Sequence, residues 1–158
     1  MDWFQSIDTT LFRFINQKMS NPVFDRLMPF LSGNVAFYPL LIGLVVWMIW
    51  RFRQRGILCA LFLLITIAIG DPIICNSLKD LFERPRPFLD ISDTVLRVGR
   101  GGSFSFPSSH AANWFASAAV VILFFRRSWR WMFPMAAAVA FSRVYNGVHY
   151  PSDVVGGA

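Results

Sequence analysis

Four apolar runs, at 35–50, 57–78, 111–125 and 131–144, are separated by arginine clusters or polar loops. These runs restrict the fold more than any other feature of the chain. A helix needs roughly 17–25 apolar residues to cross the hydrocarbon core of a bilayer. Inside lipid every backbone N–H and C=O must also bond within its own segment, which a helix achieves. The pattern therefore predicts an all-α, polytopic membrane helical bundle. The run at 35–50 has 16 residues and reaches spanning length by drawing in Ser32, Gly33 and Asn34. The run at 57–78 spans unaided, although Asp71-Pro72 falls two-thirds of the way along. Composition agrees: 55% of residues are hydrophobic and 15% charged, against about 45–50% and about 25% in soluble domains.

A chain of 158 residues makes one domain, here an interfacial segment at 1–34 followed by a membrane core at 35–158. Phe4, Ile7, Leu11, Phe14, Ile15 and Met19 recur at helical spacing among Asp2, Asp8, Arg13 and Lys18. This suits an amphipathic helix lying in the membrane interface, or equally one packed on the rest of the protein. Asn21-Pro22 ends it, and Pro29 with Ser32-Gly33-Asn34 ends a second short segment. No cleavable signal peptide is visible. At the other end, Val154-Val155-Gly156-Gly157-Ala158 reads as the opening of another apolar helix, so a last spanning helix is expected beyond the fragment. Cys59 and Cys75 lie roughly 24 Å apart on one helix at 1.5 Å per residue, too far to pair with each other.

The net charge is +6. The basic residues lie scattered in loops, without the continuous basic face that nucleic acid requires; anionic lipids or an anionic substrate are the expected partners. Arg51, Arg53, Arg55 and Arg126, Arg127, Arg130 fall in two short loops separated by two crossings, so they share a side. The other nine of the 15 basic residues are balanced by the nine acidic ones. Positive charge concentrated in short loops marks the cytoplasmic face, which places 79–110 and 145–153 together on the outer face.

Three polar clusters project there. Lys79 ends a helix, and Pro85 and Pro87 frame Arg86 in a rigid loop able to bend back over it. A point charge beside a planar fork suits a dianionic phosphate, although basic residues flanking a membrane also snorkel. Pro107-Ser108-Ser109-His110 opens the third run, where unpaired helix N–H groups bind anions; the plainer alternative is a serine cap. Upstream, Gly99–Gly102 with Arg100 forms a flexible approach. Finally, Asn146-Gly147 makes a turn, Pro151 starts a helix, and His149 stands four residues before Asp153. A carboxylate there fixes one imidazole nitrogen and leaves the other as a nucleophile. Asp71 is an ionisable group inside a spanning run, read as the cap of a helix opening at Pro72. Arg84, Arg97 and Arg100 read as solvated loop charges.

In this order, Lys79-x6-Arg86-Pro87, Pro107-Ser108-x-His110 and Ser142-Arg143-x5-His149-x3-Asp153 resemble the type-2 phosphatidic acid phosphatase superfamily, over about half of the chain. That family's second motif usually reads Pro-Ser-Gly-His, and Ser109 stands in place of the Gly. The resemblance implies an integral membrane phosphatase that acts through a phosphohistidine. His149 is the implied nucleophile, Asp153 its orienting partner and His110 the acid and then the base. Lys79, Arg86, Arg143 and the backbone amides of Ser108 and Ser109 are the implied phosphate ligands. Ser142 has no chemical role in this scheme, and neither a metal nor another cofactor is expected. The substrate is expected to be a lipid phosphate or diphosphate, polyprenyl diphosphate first, at the outer face of a bacterial inner membrane. Two alternatives stay open: a lipid phosphotransferase with the same intermediate, and a non-catalytic membrane binding protein with a relict site.

Overall fold

The computed structural model describes residues 3–33 and 37–158. Its helices are α1 (Trp3–Arg13), α2 (Phe24–Leu31), α3 (Phe37–Phe52), α4 (Gln54–Ile69), α5 (Asn76–Phe82), α6 (Pro87–Asp90), α7 (Ser109–Phe124), α8 (Trp129–Tyr145) and α9 (Pro151–Gly157). Among the described residues there is no strand. The four apolar runs become α3, α4 with its continuation, α7 and α8. Asp2, Asn34 and Val35, which belong to the expected N-terminal and first apolar patterns, lie outside the described residues.

The bundle is apolar outside and partly polar inside. Leu58, Leu61, Phe62, Leu64 and Ile65 of α4 are all about half exposed or more, as lipid-facing residues must be. Among the described residues, the stretch Gln54–Asp90 is the one long and apolar enough to cross a bilayer unaided, whereas α3 and α7 have 16 residues each. At 1.5 Å per residue the shorter helices reach about 24 Å, a mismatch met by local thinning and by snorkelling arginines. Lipid tails are as apolar as leucine, so helix association depends on close packing. Ala111 and Ala118 of α7 and Ala136 and Val139 of α8 are fully buried where these two helices pack together.

Both arginine-rich turns lie at one end. The Arg55 guanidinium sits 5.1 Å from the Phe125 ring, and Phe52 packs on Phe125 at 4.7 Å. Trp47, Trp50, Trp129 and Trp131 are exposed near these turns, in the manner of an interfacial aromatic belt.

One expectation is corrected and two are refined. Asp71-Pro72 does not open a new helix: α4 passes into α5 through a π-helical turn, Gly70–Cys75, because a wider turn accommodates the N–H that proline lacks. The second segment ends where Ser32-Gly33 predicts, α2 stopping at Leu31, but Pro29 lies inside the helix and does not help to stop it. Helix α1 meets both of its readings at once. Trp3, Phe4, Ile7, Leu11 and Phe14 are exposed, while Asp8, Phe12 and Asn16, spaced by four, are buried. Phe12 packs with Ile91, Val144 and Tyr150. The buried stripe is two-thirds polar, so apolar periodicity does not reveal it.

Candidate active site

Helix α8 ends at Tyr145, and Gly147 (φ +83°) reverses the chain; a Cβ there would lie 2.7 Å from the Val95 carbonyl oxygen. The turn carries His149 inward, 2% exposed, before Pro151 starts α9. His149 Nδ1 lies 2.8 Å from the Ser105 carbonyl oxygen. A carbonyl only accepts, so Nδ1 carries the proton and donates. The lone pair of Nε2 is thereby left facing Arg86, whose Nη1 is 3.5 Å away. Asp153 Oδ2 stands 3.5 Å from Nδ1 and accepts the Tyr150 N–H at 2.8 Å. The expected His149–Asp153 pair is therefore present but looser than the bond to Ser105, which spacing did not reveal. Burial, aided by Arg143 and Arg86 against Asp153, pushes the His149 pKa down to about 4, so the ring is neutral at physiological pH.

Cations surround this ring. Arg86 donates through Nε to the Ser103 carbonyl at 2.6 Å and through Nη1 to that of Val148 at 3.2 Å. Lys79 donates to Ser109 Oγ at 2.6 Å. Arg143, on α8, donates to the Ser32 carbonyl at 3.1 Å and to the Ser32 hydroxyl; Ser32 was not foreseen. His110 stands in the first turn of α7, where the charges of Arg143, Asp71 and Lys79 reach its ring. A Cβ on Gly33 would lie 3.7 Å from His110 Nε2, so the end of α2 walls this side.

One assigned role changes. The Ser108 amide donates to the Asp153 carbonyl at 2.9 Å, which removes it as a phosphate ligand. Its hydroxyl does not cap α7 either. Among the described residues, four buried side-chain polar atoms have no hydrogen-bond partner, and two of them are Ser108 Oγ and Arg143 Nε. Such atoms are costly to bury, and these two belong to residues of the second and third polar clusters. The first-turn N–H groups of Ser109 and His110 also lack intrahelical acceptors. No group of three or more His, Cys, Asp or Glu converges among the described residues; the site is lined by cations.

Arg84 and Arg97 are not solvated charges. Arg84 pairs with Asp8 and Asp153, and Arg97 pairs with Asp25 at 2.7 Å while lying 4.3 Å over the Tyr145 ring. Arg100 is exposed, as expected. Ser142 bonds back to the Val139 carbonyl at 2.6 Å inside α8, which accounts for it structurally.

The glycine stretch does more than approach the site. A Cβ on Gly101 would lie 2.6 to 2.8 Å from the Arg86 guanidinium carbon and terminal nitrogens, and that guanidinium is pinned by Ser103 and Val148. Gly101→Ala is expected to displace it and weaken vanadate or inorganic phosphate binding by roughly 10- to 100-fold, the scale of one charged hydrogen bond. Thermal unfolding in detergent should stay close to wild type.

Comparison with known proteins identifies the family. The PAP2 superfamily profile matches residues 60–158. A lipid A 4'-phosphatase of Bacteroides thetaiotaomicron is 35% identical over 100% of this chain and 73% of its own length. An undecaprenyl-diphosphatase of Sulfolobus acidocaldarius is 31% identical over 93% and 69%. Among solved structures, Aquifex aeolicus LpxE superposes with a TM-score of 0.69 at 28% identity, covering 96% of this chain and 88% of that one. With the profile running through all three polar clusters and a relative alike from end to end, this chain belongs to the PAP2 superfamily of membrane phosphatases.

Proposed function

We propose that the protein hydrolyses the phosphate of a membrane lipid through a phosphohistidine on His149. The observation that carries this reading is the His149 imidazole, fixed by the Ser105 carbonyl so that Nε2 faces Arg86, with Arg143 also acting on the ring and two buried donors, Ser108 Oγ and Arg143 Nε, left without partners. A phosphoryl group supplies the acceptors that both donors lack. In the first step His149 Nε2 attacks phosphorus, the ester P–O bond breaks, and His110 gives its proton to the departing oxygen. In the second step His110 takes a proton from water, the water oxygen bonds phosphorus, and the P–N bond breaks with its electron pair returning to Nε2. Lys79, Arg86, Arg143, the Ser108 hydroxyl and the Ser109 amide hold the equatorial oxygens, whose charge grows in the transition state. Placing the arginine-rich turns in the cytoplasm puts this pocket on the periplasmic or extracellular side.

The relatives support two substrate classes. The 35% identity to a lipid A 4'-phosphatase along the whole chain favours a phosphate monoester on a glycolipid. The undecaprenyl-diphosphatase similarity supports a polyprenyl diphosphate as the second reading. The test is inorganic phosphate release from both lipids, by purified protein in detergent, with and without EDTA. Release from either, unaffected by EDTA and inhibited by vanadate, is expected. Transfer of label to an acceptor lipid without free phosphate would make the protein a transferase. No turnover of any lipid phosphate, with no vanadate binding, would make it a binding protein.

A further inference from the structure

Behind His149 two buried carboxylates, Asp153 and Asp8, share one partly buried guanidinium, that of Arg84. Asp153 is fully buried, and its Oδ1 accepts from Arg84 Nη1 at 2.6 Å. The same Nη1 donates to Ser152 Oγ at 2.7 Å, and Nη2 donates to Asp8 Oδ2 at 2.6 Å. The guanidinium lies 4.1 Å over the Tyr150 ring. Asp8, 4% exposed, comes from α1 and accepts the Ser152 N–H in the first turn of α9 at 2.9 Å. The backbone of the same segment serves the ring too. Ser105 donates its N–H to the Arg84 carbonyl at 2.9 Å and its hydroxyl to the Pro85 carbonyl at 3.0 Å. Both groups facing His149 Nδ1, the Ser105 carbonyl and the Asp153 carboxylate, thus hang on residue 84, one through its main chain and one through its side chain.

We propose that Arg84 and Asp8 are positioning residues for the phosphatase reaction, forming an Asp8–Arg84–Asp153 chain of two buried carboxylates and a partly buried guanidinium, through which helix α1 sets the orientation and charge of the carboxylate behind the nucleophile. The proposal rests on the reading of His149 as nucleophile. One cation shared by two carboxylates neutralises neither completely. Asp8 draws the guanidinium toward α1 and leaves Asp153 with more negative charge for the imidazole, which turns positive as Nε2 bonds phosphorus. On α1, Phe4, Ile7 and Leu11 lie exposed beside Asp8 and line one groove with Arg84, Pro151 and Ser152.

The test is Asp8→Asn, which keeps shape and removes charge, alongside Asp8→Glu, Arg84→Lys and His149→Ala. Asp8→Asn is expected to lower kcat by roughly 10- to 100-fold, the scale of a misaligned catalytic group, with KM and vanadate affinity unchanged. Asp8→Glu should recover part of this loss, whereas Arg84→Lys, a point charge unable to fork between two carboxylates, should resemble Asp8→Asn. His149 is faced by Asp153 from α9, Arg86 from the segment before α6, Arg143 from α8 and His110 from α7. With Arg84 given wholly to Asp153, its proton affinity falls, so the acid limb of kcat/KM should move to lower pH. Wild-type kcat and an unmoved acid limb in Asp8→Asn would overturn the proposal. So would a loss of kcat matched by a lowered unfolding temperature with the acid limb in place, since that is what simple structural damage gives. Substantial turnover by His149→Ala would instead sink the nucleophile assignment, a result separable from either.

Discussion

Replacing His149 by alanine is expected to reduce phosphate release by roughly 10⁴- to 10⁶-fold, the range found when an enzymatic nucleophile is removed. The bundle should survive the change. The ring makes one short hydrogen bond, to the Ser105 carbonyl, and a single such bond is worth about 1 kcal/mol net. Asp153 keeps Arg84 and the Tyr150 N–H as partners, so no carboxylate is orphaned. Lys79, Arg86 and Arg143 also stay in place, and inorganic phosphate should still bind. What disappears is the lone pair of Nε2 and with it the acid-labile, base-stable phosphohistidine. The check is phosphate release together with trapping of labelled protein from a labelled substrate. Turnover within tenfold of wild type, or label persisting in the variant, would remove His149 from the mechanism.

His110→Ala should be nearly as damaging on a lipid substrate, by roughly 10²- to 10⁴-fold, because an alkoxide is a poor leaving group without a proton donor. The effect should depend on the leaving group, which separates it from the first prediction. Nitrophenolate departs unprotonated, so with nitrophenyl phosphate the first step should be largely spared. The second step still needs a base for water. The variant should therefore show a burst of nitrophenol equal to the enzyme present, followed by slow turnover, with phosphoenzyme accumulating. An equal loss on both substrates without a burst would deny His110 its place at the leaving group.

Much of this site could be read directly from the chain because its parts stand where helices begin or end. Lys79 closes a helix before Pro85, Ser108 and His110 open α7, and His149 lies between the Gly147 turn and Pro151 at the head of α9. Proline and glycine mark such ends in any sequence. The partners that hold these residues carry no comparable mark. Ser105 acts through a backbone carbonyl, which every residue possesses. Ser32 reaches Arg143 across 111 positions. Asp8 and Arg84 sit in an amphipathic helix and a charged loop, where solvation is the default reading, and meet only because α1 folds against α9. The Asp71-Pro72 pair was misread because proline usually breaks a helix, whereas here a π-turn absorbs it.

The length of the apolar runs and the grouping of six arginines in two loops were enough to determine a helical membrane bundle with one basic end. Crossing a bilayer is a demand on consecutive residues, and a linear string displays it in full. Which charges pair and which remain available was decided only by the tertiary structure. Pairing depends on distances between helices and on burial, and neither is a property of neighbouring residues. Arg84 and Arg86, two positions apart, show the consequence: one is committed between two carboxylates, while the other stands 3.5 Å from the imidazole.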